Sequence, residues 1–226
     1  MIPRRLNAGR SRICCRISTS TLRVSNIVAV GYGNIFTSAA FPGILRRHPP
    51  KKGTLLTILP LLEGPGTRMQ LRPAHPEDQV AIMALINAVY HEYGDCLCLE
   101  NAGRDLLDID VYYIKAGGTV VVLDDAGRVR GTHAVLPAAT RGKVCVFRRH
   151  YLEAALRGGP WGAQLMQLAI AWVHAHSMHC VEFWADTRFT RAHVFFARFG
   201  FQCEGRIRSM DDGCIQYQEY FFFLNL

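Results

Sequence analysis

Apolar and polar residues along the chain first separate its two halves. From Met69 onward the pattern breaks into short periodic segments. "MQLRPA" alternates and stops at Pro73, which predicts a short strand. "HPEDQVAIMALINAVYHEYG" opens with Pro76 and two acids, a helix-start signature. In it Ile82, Leu85, Ile86 and Val89 fall on one helical face. A weaker helix is expected from Glu100 to Asp108. "GTVVVLDDAGRVRGTHAVLP" reads as two β-rich runs around a turn, and "KVCVFRRHYL" as another strand. A helix is predicted over about 161–177, with Leu165, Leu168, Ala169 and Trp172 at helical spacing. "CVEFWA" is a strand, and "RFTRAHVFFARFG" is a helix ending at Gly200. "FQCEGRIRSM", the turn "DDG" and "IQYQEYFFFLNL" complete a hairpin. The order β-α-α-β-β-β-α-β-α-β-β predicts an α/β (α+β) domain. Its sheet is mixed, mostly antiparallel and six- to seven-stranded, with flanking helices, neither doubly wound nor a barrel.

Before Met69 no such order is visible. The net charge of +8 suggests an anionic partner until it is divided along the chain. Residues 1–68 carry 11 Lys/Arg and one acid, Glu63, whereas residues 69–226 carry 15 Lys/Arg and 17 Asp/Glu. The basic character therefore belongs to a leader, 1–68, and the domain, 69–226, offers no basic stripe for nucleic acid. The leader is rich in Arg, Ser and Thr, like an organellar transit peptide. Its uncharged run from Ile27 to Leu45 contains Gly, Asn and Pro and makes a poor membrane span. Three readings stand for it: disordered or extraneous sequence, a targeting segment, or an anchor. Without targeting the protein is expected in the cytoplasm, with no membrane partner.

The eight cysteines form no C-x-x-C pair and mostly sit in apolar runs, so reduced, mostly buried thiols are expected. "HAHSMHC" (174–180) has metal-like composition, but no second cluster completes it. It is expected to be a helix C-terminus whose imidazoles complement the dipole, with no metal.

Chemistry concentrates in "LRGGPWGAQL" (156–165), where glycines precede a helix. Backbone amides at a helix start hold anions, and glycines allow close approach. Pro160 removes one amide but suits a first helical turn. No Lys-Ser/Thr follows, so this is not a nucleotide P-loop.

"YLEAALRGGPWGAQLMQLAIAW", followed about forty residues later by "AHVFFARFGF", resembles the GNAT superfamily of acyl-CoA N-acyltransferases. The likeness covers about 69–226, with Arg157, Gly158 and Gly162 matching the first motif and Ala192, Gly200 and Phe201 the second. It implies the GNAT fold and acetyl-CoA as co-substrate. It also implies transfer of an acetyl group by direct attack to a primary amine of a small molecule or peptide. Tyr151, Leu152, Arg157, Gly158, Gly159, Trp161, Gly162, Ala163 and Phe196 are the residues it places along the cofactor, with the Leu152 amide near the thioester oxygen. Trp161 is expected mainly to pack. Phe196 stands where the family often has a proton-donating Tyr, and phenylalanine cannot donate. Asp186 and Glu182, at the fifth strand, are candidate bases, Asp186 the better one, and His193 is a candidate acid. Glu92 and Asp95 lie where relatives hold substrate. Assembly as a homodimer remains an alternative, as does a catalytically silent acyl-CoA-binding module.

Overall fold

The computed structural model describes residues 68–226, so the readings of the leader lie outside the described residues. Seven strands form one sheet in the order β1-β2-β3-β4-β5-β7-β6. They are β1 (Met69–Pro73), β2 (Thr119–Asp125), β3 (Arg128–Pro137), β4 (Val144–Leu152), β5 (Cys180–Asp186), β6 (Gln202–Asp211) and β7 (Gln216–Asn225). All neighbours are antiparallel except β4 and β5. Helix α1 (Gln79–His91) packs on one face, while α2 (Trp161–Ala175) and α3 (Thr190–Arg198) pack on the other. The mixed, mostly antiparallel sheet with flanking helices is the expected architecture.

Periodicity fixed the core faces. Ile82, Leu85, Ile86 and Val89 are the buried residues of α1. In α2 the buried set is Leu165, Met166, Ala169, Trp172 and Val173, with Leu168 only partly covered. Gly200 ends α3 with φ +86°, the left-handed conformation that a C′ glycine supplies. The helix expected over 100–108 is not one continuous helix. Instead a 3-10 turn, Arg104–Leu106, is followed by a π turn, Asp110–Ile114. These turns bury Asp105, Leu106, Ile109 and Tyr113 beneath α1's face of the sheet.

The cysteine expectation needs correction. Cys96 and Cys214 form a disulfide across 118 residues of chain, joining the loop after α1 to the β6–β7 turn. Cys98, Cys145, Cys180 and Cys203 are free, and of these only Cys145 is buried. The segment 174–180 behaves as a helix end: His176 Nδ1 donates to the Trp172 carbonyl at 2.8 Å, and the two rings stack. Among the described residues no helix is long and apolar enough to cross a membrane.

Candidate functional site

The site begins where two parallel strands part. β4 and β5 pair only through Val144, Cys145 and Val146 against Cys180, Val181 and Glu182. Beyond these residues β4 stays with β3 and β5 stays with β7. A bulge explains the divergence: Arg149 and His150 together oppose the single residue His133, and Arg149 takes φ +56°. Such a bulge bends and twists its strand. The bend is anchored from below. Arg149 is buried with Asp105, donating from Nε at 3.0 Å, and Tyr113 also donates to that carboxylate. Burial alone would push the Asp105 carboxyl up, but the Arg149 guanidinium overrides it and holds the carboxyl below its ordinary range.

The gap leads to a cavity of about 110 Å³ lined by residues of β4, β5, α3 and the β6–β7 hairpin. Tyr151 lines it, and Leu152 is the next residue of β4. Glu153 N–H donates to the Arg130 carbonyl, and Leu152 pairs with Gly131. Alternation in an antiparallel ladder then turns the Leu152 N–H and C=O away from β3, toward the open side. The Leu152 carbonyl accepts Arg157 Nε at 2.9 Å.

Next to Leu152 lies the glycine-rich turn. Gly158 has φ +83°, which favours glycine. Pro160 serves as N-cap of α2, and its carbonyl accepts the Gln164 amide at 3.0 Å. The amides of Gly158, Trp161, Gly162 and Ala163 make no backbone hydrogen bond among the described residues. These are the unsatisfied donors expected at a helix start, and an anion can take them. A Cβ on Gly162 would meet Phe195 and Leu152 at 3.8–3.9 Å, so it would point into the slot between β4 and α3. Trp161 packs against the cluster of Leu71, Leu123, Leu152 and Leu165. Arg157 does not point free charge at the turn: its guanidinium forks onto Glu92, with Nη2 at 2.8 Å. Glu92, expected near an acceptor, is thereby engaged as well.

The structure separates the three candidate catalytic residues. Asp186 lines the cavity, but Arg188 engages both of its carboxylate oxygens, Oδ1 at 3.0 Å and Oδ2 at 2.9 Å. Arg188 also reaches Asp95 at 2.8 Å. Glu182 sits in the paired part of β5, ion-paired with Arg141 and outside the cavity wall. His193 Nε2–H donates to the Asp186 carbonyl at 2.8 Å, and its ring lies against Tyr220 and Phe222, outside that wall. Tyr151 and Phe196 do line the cavity.

Sequence reasoning missed several cavity residues. The Tyr90 and Tyr151 hydroxyls are 3.1 Å apart. His133 and His150 share a hydrogen bond between their Nδ1 atoms at 2.7 Å, with the His150 ring stacked on Phe195. Burial lowers the pKa of His150 to about 4 and, together with the neighbouring imidazole, lowers that of His133 as well. Asp212 and Tyr217 arrive from the terminal hairpin. Of these, Tyr151 was already expected along the cofactor and Asp212 lay in the turn signal "DDG"; Tyr90, His133, His150 and Tyr217 carried no chemical signal in the sequence.

No protein-family profile matches the chain, and no curated protein matches it in sequence. Solved structures do match. A GNAT-family acetyltransferase from Staphylococcus aureus Mu50 is 14% identical with a TM-score of 0.60, covering 70% of this chain and 98% of its own. An acetyltransferase from Streptococcus agalactiae 2603 is 19% identical at TM-score 0.59, with coverage of 70% and 98%. The yncA protein of Salmonella typhimurium, solved with its cofactor acetyl-CoA, is 16% identical at TM-score 0.54, with coverage of 70% and 93%. With its parted β4 and β5 and its glycine turn before α2, the domain over residues 68–226 has the fold of the GNAT acetyltransferases.

Proposed function

We propose that the chain transfers an acetyl group from acetyl-CoA to a primary amine. The observation that carries this reading is the continuity of three features. Four unpaired amides lie in the turn into α2, the Leu152 amide faces the open side of β4, and Tyr151, the residue before it, lines the cavity. A diphosphate fits the first and a thioester carbonyl the second. The slot between β4 and α3, which a Gly162 side chain would enter, connects them.

In this reading the neutral amine attacks the thioester carbon, and the carbonyl oxygen gathers charge beside the Leu152 N–H. The tetrahedral intermediate collapses, breaking the C–S bond and expelling CoA thiolate. With a thiol pKa of about 8.5 the thiolate leaves without a side-chain acid, which suits Phe196 at this wall. Asp186 is the base, working through water, with its charge shared through Arg188, which also holds Asp95. Glu182 and His193 take no part. The silent-module reading is favoured by Phe196 and by Pro160, which lacks an amide donor. Incubating the full chain with acetyl-CoA and a panel of primary amines, while following free thiol, tests the proposal. Amine-dependent thiol release with stoichiometric N-acetyl product is expected. Tight acetyl-CoA binding with no turnover of any amine leaves only the silent module.

A further inference from the structure

The β6–β7 turn brings into the cavity a carboxylate that the proposed reaction does not use. Asp212 is 2% exposed and lines the cavity wall. Its Oδ1 accepts the amides of Cys214 and Ile215 at 2.9 and 3.0 Å, and its carbonyl accepts Asn101 Nδ2 at 3.1 Å. Among the described residues no hydrogen bond or ion pair reaches its Oδ2.

Each other charged side chain of this cavity has an ion-pair partner. Arg188 holds Asp95 and Asp186, Arg208 holds Glu219, and Arg148 and Arg149 turn to Asp105. Among the described residues Asp212 is thus a buried carboxylate with no cationic partner. Burying a charge without a partner is costly, and a cation placed against it relieves that cost. The neighbouring walls are aromatic: Tyr90, Trp184, Phe189 and Tyr217. Two residues beyond Asp212, Cys214 is bonded to Cys96, which follows Asp95, so a covalent link joins the two loops that carry these carboxylates. The site therefore combines a fixed anion with walls suited to hydrocarbon.

We infer that Asp212 binds the ammonium group of the acceptor and selects amines over neutral molecules of the same shape. This deepens the acetyltransferase reading by naming the acceptor's determinant, yet it concerns binding alone. Asp212 holds the cation on arrival; the proton is lost before the nitrogen attacks.

The test is ligand-observed NMR on the full chain at pH 7, with butylammonium and 1-butanol as probes of equal shape and different charge. The wild-type chain is expected to bind butylammonium at least tenfold more tightly than 1-butanol. Asp212→Asn and Asp212→Ser each retain an oxygen for the Cys214 and Ile215 amides and are expected to keep the turn. In both variants the preference should vanish, while the acetyl-CoA dissociation constant and the melting temperature stay put. A wild-type chain with no preference for butylammonium overturns the inference, whether or not the variants fold. So does a preference that survives in a folded variant. Because no acetyl transfer is needed, a positive result here can stand beside a failed transfer assay, and the reverse result is equally readable.

Discussion

His150 shows how a single residue records the site's environment. Its partly buried ring lies against His133, Phe195 and Phe196, and desolvation holds its pKa at about 4. An unfolded histidine titrates near 6.5. Between those values the unfolded chain binds a proton that the folded chain refuses, so stability falls as pH drops from about 6.5 to about 4. Above pH 6.5 both states are neutral and the term vanishes. His133 acts in the same direction. Denaturant unfolding at pH 7 and pH 5 is expected to show a loss on the order of 1–2 kcal/mol from His150. His150→Gln, which does not titrate but can still accept or donate toward His133, should shrink that loss. An equal loss in the variant would place the titration elsewhere. Nothing in the sequence announced this pair. His133 and His150 lie on adjacent strands, and only the bulge at Arg149 turns them toward one another. Ile82, Leu85, Ile86 and Val89 were legible because helical spacing encodes a face locally, whereas side chains meeting across a bulge depend on register.

At the scale of elements, the turn into α2 was legible in composition and its surroundings were not. Glycines before an apolar helical pattern revealed the unpaired amides. They did not reveal that Arg157 would fork onto Glu92, 65 residues away, because charge pairing across elements leaves no spacing signal. The same holds for Glu182, which shares β5 with Asp186 yet falls where the strands are still paired. The cradle reading has a direct consequence. At Gly162 a Cβ meets only ordinary contacts, so Gly162→Ala should fold normally. Gly162→Glu carries bulk and negative charge into the slot between β4 and α3. Calorimetry should show acetyl-CoA binding weakened at least tenfold, about 1.4 kcal/mol, with little change in melting temperature. Pro160→Gly restores an amide and should tighten CoA binding up to tenfold if that donor reaches a phosphate oxygen. Unchanged affinity in Gly162→Glu would reduce the turn to a structural one.

For the whole domain, the succession of elements along the chain follows from hydrophobic pattern and turn chemistry, but the cross-link between its distant parts does not. β6 and β7 are joined by a short turn, and the loop after α1 lies more than a hundred residues earlier. The Cys96–Cys214 bond links these distant parts, and a search for short cysteine spacings is blind to it. Cross-linking a loop of this length restricts the unfolded chain by up to roughly 4–5 kcal/mol in the entropy model. Such bonds persist in oxidising compartments and are rare where thiol reductants are abundant. The expectation of a cytoplasmic protein and the presence of this bond therefore pull in opposite directions, and the protein's behaviour toward reductant shows how much the fold depends on the bond. Cys214 is exposed, so a small thiol can reach the pair. In non-reducing peptide maps the Cys96 and Cys214 peptides should migrate as one linked species, with two fewer alkylated cysteines than after reduction. Dithiothreitol should then lower the melting temperature of the wild-type chain. The Cys96→Ser, Cys214→Ser double variant should start lower and not respond. Because the bond borders the loops that carry Asp95 and Asp212 but not the turn at Gly158, reduction should leave the acetyl-CoA dissociation constant unchanged. Separate peptides in the oxidised map, or a wild-type melting temperature indifferent to dithiothreitol, would show that the two sulfurs lie close without stabilising the fold.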